Sequence, residues 1–405
     1  MSSFDSEIFS LADETISALT SPKKGLFSQA GIFRKRKGNA RKAAYAVYKQ
    51  MRQATRFVLE DDMTKYVARI CTKIDAYELN KMLTQVARLP SELTWLEWDE
   101  KIRVKEMNAF LSNISPDDVD VRHITDKVGY LCNSPDINKA IFTGVYRGKE
   151  TETNTEKAIG SEKINIFPVG FELNFNGPYS DQEEKENIAN FLQEKVKIDD
   201  VEKVKIARRT SSRQFLSRWW TTDKTGSGML DLIDSIRPVQ TNAINWWCDT
   251  ENVFDQEMLQ TAHTRSIAAC EGDARFIICL LGVLNFDWFT NEPTRKFQHT
   301  RFRYGRAHKG NEYRVITLKL PKKSGLDVNI NEKIDGPRTK RLHEVRGHWC
   351  IRKASRKRYW RKAHKRGDKS LGTITKDYKL SNDDPSFGFI SRAAKASYEE
   401  PRSAD

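Results

Sequence analysis

A chain of 405 residues with 38% hydrophobic residues and nine Trp can build real cores, so wholesale disorder is excluded and two or three domains are expected. The net charge of +14 is unevenly spread: residues 338–380 hold 16 Lys and Arg against three acids, residues 15–59 hold 11 against none, and the remainder is net acidic by about ten. Two basic poles on an acidic body favour a polyanionic partner over general solubility tuning.

The N-terminal "MSSFDSEIFSLADE" has no basic stretch followed by an apolar one, so no secretory signal is expected. Residues 1–38 read as a mobile arm ending in "FRKRKGN". A helix is expected from Asn39, a plausible N-cap, with Ala40, Ala44, Val47, Met51 and Val58 as its apolar face. Lys42, Lys49, Arg52 and Arg56 lie on another side, either as a solvated surface or as a stripe laid along phosphates. Helical character continues to Pro90.

"SELTWLEWDE" alternates like a strand, with Trp95 and Glu97 on one face and Leu96 and Trp98 on the other. "KVGYLCN", "AIFTGVYRG" and "INIFPVGFELNF" read as further strands, separated by the polar loop "KETETNTEKAIGSEK". From Ser180 the chain turns acidic and helical, through "MLDLIDSI" to "DQEMLQTAHTRSIAACEGDARFIICLLGVLNF". Its longest apolar run, Phe276 to Phe286, is far short of the ~20 residues a membrane span needs, and reads as a buried helix. Beyond Pro293 the chain is basic and β-like again, and its last 25 residues look frayed. The six cysteines are scattered without a CxxC, which fits reduced thiols in a cytoplasm better than a disulfide scaffold.

The overall expectation is an α+β fold with a mixed body. Its segments are a basic arm with helices over 1–88, a β-rich segment over 89–179, a mostly helical one over 180–292, a basic β-rich module over 293–380 and a disordered tail over 381–405.

The most informative stretch is "RLHEVRGHWCIRKASRKRYWRKAHKRGD", residues 341–368. As a strand, "RLHEVRGHWC" puts Val345, Gly347 and Trp349 on one face and Glu344, Arg346, His348 and Cys350 on the other. "KASRK" supplies a turn and "RYWRKAHKRG" a returning strand, giving a basic hairpin with Trp349, Tyr359 and Trp360 interleaved. Lys and Arg meet phosphates, while aromatic rings and guanidinium planes stack on bases. Arg346, His348, Trp349, Arg352, Arg358, Trp360, His364 and Arg366 are therefore the candidate nucleic-acid contacts, with Lys42, Lys49, Arg52 and Arg56 adding non-specific ones. A solvated or protein-facing basic surface is the alternative.

Other chemistry has thinner support. A hairpin would draw His348, Cys350 and His364 together, but structural zinc wants four ligands at tight spacings, so no metal or cofactor is expected. "GVYRGKET" has three residues between its glycines and Glu150 in place of the hydroxyl, so it is not a P-loop. Glu97 and Asp99, beside tryptophans, are the candidates for an acid or base in a nucleic-acid-processing enzyme. Core packing for the tryptophans and ion pairs for the acids compete with that reading.

The pattern V-R-G-H-W, then W, then H-x-R-G-D in residues 345–368 resembles a family of bacteriophage and mobile-element proteins without an assigned reaction. "LPSELTWLEWDE" and "LLGVLNF" are similar to two further patches of that family, so the resemblance spans roughly residues 89–380 in three pieces. Cys350 stands where such proteins more often carry a basic residue. The resemblance implies a phage or prophage origin and a stage in the host cytoplasm. The expected function is nucleic-acid binding, of RNA or DNA, in phage regulation or host takeover. The alternatives are the enzyme just described and a factor that grips an acidic host protein.

Overall fold

A computed structural model describes residues 10–20, 39–121, 126–147, 164–166, 169–192, 202–203, 205–206, 209, 227–240, 272–285, 290–292, 296–297, 312–320, 341–352, 355 and 357–382. In chain order, α1 (Leu11–Thr20) and α2 (Asn39–Gln53) precede β1 (Thr55–Leu59), then α3 (Asp61–Lys73), α4 (Ala76–Gln85), β2 (Leu93–Asp99) and α5 (Glu100–Ser112). The middle holds β3 (Lys127–Asp136), β4 (Lys139–Arg147), β5 (Ile164–Ile166), β6 (Val169–Asn174), α6 (Asp181–Leu192), α7 (Ser227–Asp234), β7 (Ile236–Gln240) and a helix, α8, over 272–285. The basic end brings β8 (Thr290–Glu292), β9 (Lys296–Phe297), β10 (Glu312–Leu320), β11 (Arg341–Val345), β12 (His348–Ile351), β13 (Arg358–Arg361), β14 (His364–Arg366) and β15 (Asp368–Asn382). The fold is α+β, as its composition and pattern suggest.

Thirteen of these strands share one mixed sheet with a central order β14-β11-β15-β1-β2-β3-β4-β6-β7. Pairing is parallel among β2, β1, β15 and β10, and antiparallel from β2 through β3, β4 and β6 to β7. The segments drawn on composition, 1–88, 89–179, 180–292 and 293–380, thus all contribute strands to the same sheet.

Period-two alternation in β2 sorts the two cores. Leu96 and Trp98 join Phe57, Tyr130, Phe142 and Phe171 under helices α3, α4 and α8. Trp98 lies 4.8 Å from Phe276 of α8 and 5.6 Å from Tyr130, so aromatic contacts weld helix to sheet. On the opposite face Trp95 joins Leu131 and Val145 beneath Leu11 and Ile16 of α1 and Val47 and Met51 of α2. Helices therefore cover both faces of the sheet.

The expected mobile arm is corrected over the part described. Leu11 and Ala12 are buried, and Glu97 explains why. Its carboxylate accepts the Leu11 backbone N–H at 2.8 Å, the Trp95 indole N–H at 2.9 Å, and faces Lys127 at 3.7 Å. Asp13 of the same helix pairs with Arg56 at 2.6 Å, and Glu14 pairs with Arg147. An acceptor at the first turn of a helix satisfies orphan donors, and the acids Asp13 and Glu14 there complement the helix dipole.

The expected continuous helix to Val58 also needs correction. Helix α2 stops at Gln53, and "TRFVL" becomes a strand between β2 and β15. Long-range partners decide this short β-branched and aromatic run, which local spacing does not reveal.

Candidate nucleic-acid interface

The ten-residue strand expected for "RLHEVRGHWC" is in fact two, because the chain turns inward after Val345. The Gly347 N–H donates to the Pro90 carbonyl at 2.7 Å, and the Trp349 indole N–H to the Val86 carbonyl at 3.1 Å. Asn285, at the end of α8, donates to the carbonyls of Val86 and Arg88 at 3.1 and 2.8 Å, and Arg346 donates to that of Leu284 at 3.3 Å. The patches "LLGVLNF" and "VRGHW" thereby meet on the loop that leads into "LPSELTWLEWDE". A glycine is required at 347, since a Cβ there would lie 2.6 Å from the Trp360 ring.

Strands β12 and β13 pair antiparallel, with Trp349 opposite Trp360, Cys350 opposite Tyr359 and His348 opposite Arg361. The two tryptophans meet edge to face at 5.4 Å. The guanidinium groups of Arg88 and Arg358 lie 5.6 and 5.0 Å from the Trp349 ring centre. Arg88 itself binds the carbonyls of Leu83, Thr84 and Ala87 at the end of α4, and burial pushes its guanidinium down to about 10, so it stays charged near neutrality. Trp349, Trp360 and Arg358 therefore hold the hairpin together and against the body, with both indoles half-buried and Arg358 exposed. The other side of the ribbon carries His348, Cys350, Arg352 and Arg361 around the exposed Tyr359, whose ring Arg352 covers at 5.4 Å.

Beside this hairpin the sheet has a gap. Along one edge of β15, β11 pairs at Thr373 and Ile374, and β1 takes over only at Tyr378. Among the described residues no strand pairs with 375–377 on that edge. An open cleft of about 720 Å³ occupies the gap. Its walls come from the starts of β1 and β2 (Gln53, Thr55, Ser91, Glu92), from β11 and its exit (His343, Glu344, Arg346), and from Lys365, Lys369, Thr373 and Lys376. A second depression of about 470 Å³ shares Gln53, Glu92 and Leu93 with it and adds Lys49, Asn133 and Ser134. The floor is firm, for Tyr378 is buried and stacks on Phe57 at 4.8 Å, and burial raises its hydroxyl to about 12. Basic groups outnumber the two lining acids, Glu92 and Glu344.

The candidate residues thus divide. Arg346 lines the cleft and Lys49 its extension, while His348 and Arg352 lie on the outer hairpin face. His364 and Arg366 lie on β14, opposite Val345 and His343. Lys42 is within α2, but its side chain lies outside the described residues. Arg52 bonds the Tyr48 hydroxyl at 2.8 Å and folds over that ring. Arg56 is no helical phosphate contact: it is a buried strand residue paired with Asp13. Glu97 is buried with structural partners, and Asp99 caps α5 by accepting the Ile102 N–H at 3.0 Å, so neither is placed as an acid or base in a cleft. Among the described residues no three of His, Cys, Asp and Glu gather as a metal site, and His364 is on a different strand pair from His348 and Cys350. Lys365, Lys369 and Lys376 were legible only as part of a basic run, because charge density carries no information about which side of a turn faces a cleft.

The fold and the cleft together define an α+β protein with a basic groove cut into its sheet. No family model, curated protein or solved structure matches the chain. Among the described residues no helix is long and apolar enough to cross a membrane.

Proposed function

We propose that the protein binds nucleic acid along the basic cleft and its extension, with the hairpin's outer face as a flanking contact. The carrying observation is the cleft in the β15 edge, where Arg346, Lys365, Lys369 and Lys376 line one cavity and Lys49 its continuation. Cations grouped in a concave site focus potential on a polyanion more strongly than the same charges on a convex surface. The resemblance to bacteriophage and mobile-element proteins supports a role in phage regulation or takeover of the host, in the host cytoplasm.

A salt titration of binding to labelled single- and double-stranded DNA and RNA tests this. Neutralising about five phosphates gives a log–log slope of roughly −3 to −4 on a single strand. Binding of that steepness, weakened by Lys365→Glu with Lys369→Glu, is the expected result. Absence of binding to every polymer at low salt defeats the proposal and turns attention to an acidic protein partner.

A further inference from the structure

We infer that the cleft takes a single strand of RNA and that His343 is the residue that distinguishes RNA from DNA, its Nε2 accepting a hydrogen bond from a ribose 2′-hydroxyl. The inference rests on the nucleic-acid reading above and adds the polymer and the group that reads it.

The first support is the size of the cleft and the groups that line it. A volume of about 720 Å³ is of the size that encloses small ligands, roughly 300–1,000 Å³, and holds a few nucleotides rather than a turn of duplex. Among the described residues no tryptophan lines the cleft. Trp349 and Trp360 face one another and Arg88 and Arg358 crowd Trp349, while Tyr378 is buried on Phe57. The described walls set cations suited to phosphates beside Gln53, Ser91 and Glu92, and on a backbone the 2′-hydroxyl is what separates RNA from DNA.

The second support is the hydrogen bond made by the imidazole. His343 Nδ1 lies 2.9 Å from the carbonyl oxygen of Arg341. A carbonyl only accepts, so this contact is made with the proton on Nδ1, which in the neutral imidazole leaves the lone pair on Nε2. Arg346, Lys365, Lys369 and Lys376 only donate, which suits phosphate oxygens but not a hydroxyl proton, while the carboxylates of Glu92 and Glu344 accept but repel an adjoining phosphate. His343 is in register with Ile374, two residues before Lys376 on the same face of β15, and three residues before Arg346 on its own chain. An acceptor for the sugar thus lines the same cleft as donors for the phosphates.

The test is fluorescence anisotropy of the full chain with one unstructured 12-mer made as RNA, DNA, 2′-O-methyl RNA and an RNA duplex. One hydrogen bond of ordinary strength predicts that single-stranded RNA binds about tenfold more tightly than the DNA or methylated strand, with the duplex weakest. His343→Ala is expected to bring the RNA-to-DNA ratio to about one, while His343→Gln, which retains a carbonyl acceptor, keeps part of it. Equal binding of RNA and DNA by the wild type, or an unchanged ratio in His343→Ala, overturns the inference while leaving nucleic-acid binding intact. A preference for duplex that is lost with Arg352→Ala and Arg361→Ala also overturns it and moves recognition to the hairpin, since a two-stranded ribbon fits a major groove. Absence of binding to all four polymers brings down the underlying reading as well.

Discussion

The indole N–H of Trp349 donates to the backbone carbonyl of Val86 across 3.1 Å of space and 263 residues of sequence. With Gly347 bonded to Pro90 four residues further on, it fixes the basic hairpin beside the loop that leads into β2. The position of the cleft wall at Arg346 depends on this clamp.

Trp349→Phe removes the indole hydrogen bond and is expected to lower stability by about 1 kcal/mol. Gly347→Ala drives a methyl into the Trp360 ring and is expected to cost about 1–3 kcal/mol. Urea unfolding at constant m-value measures both. An unaltered midpoint for each would show that the clamp is not part of the cooperative fold.

Lys365 and Lys369 are exposed, so their replacement by Glu should leave the unfolding midpoint within about 0.5 kcal/mol of wild type. Binding to a single strand should fall about tenfold or more, with a shallower salt slope. Anisotropy titrations at several salt concentrations report this, and an unaltered slope would remove both lysines from the interface.

Arg56 and Lys49 provide a contrast. Breaking the buried pair with Asp13 by Arg56→Ala is expected to cost about 3 kcal/mol and to leave the salt slope of binding in place. Lys49→Ala, at an exposed position lining the extension, should do the reverse. Thermal unfolding alongside salt titration separates the two. A stable Arg56→Ala protein with a shallower slope would restore Arg56 as a phosphate contact.

Glu97 links pH to the docking of α1. Burial raises its carboxyl above the usual 4.5, with the hydrogen bonds to Leu11 and Trp95 opposing that rise. Above 4.5 the unfolded chain has released this proton while the folded chain still retains it, so the contribution of Glu97 to stability falls as pH rises through the folded value. Stability relative to Glu97→Gln should therefore shift in favour of the variant between about pH 4 and neutrality. Denaturation at a series of pH values reads the difference, and a constant gap would mean that Glu97 titrates alike in both states. Glu97→Ala strands several buried donors and should cost about 2–3 kcal/mol at any pH in that range.

Local periodicity carried much of the architecture. The two sides of "TWLEW" lie in two different cores as their alternation indicates, because a half-period of one residue needs no knowledge of distant partners. The basic end was equally plain as a density of charge. What the sequence did not disclose is where non-local pairing decides. Arg56 looked like one more helical cation until Asp13, 43 residues earlier, and the flanking strands claimed it. The cleft was hidden for the same reason: its walls come from residues 53–55, 91–93, 342–346 and 365–378, and the inward turn at Gly347 breaks the alternation that assigned Arg346 and His348 to one strand face.

The pairing of β1 with β15 also orders events at the ribosome. Phe57 is translated more than 300 residues before Tyr378, the residue on which it stacks. At about 5–20 residues per second, β1 waits roughly 15–60 s for that neighbour. During the wait one edge of β1 has only solvent or a chaperone beside it, and the wall of the cleft does not exist. Premature termination anywhere before β15 therefore removes a central strand of the sheet, and β1 loses the neighbour on which Phe57 stacks.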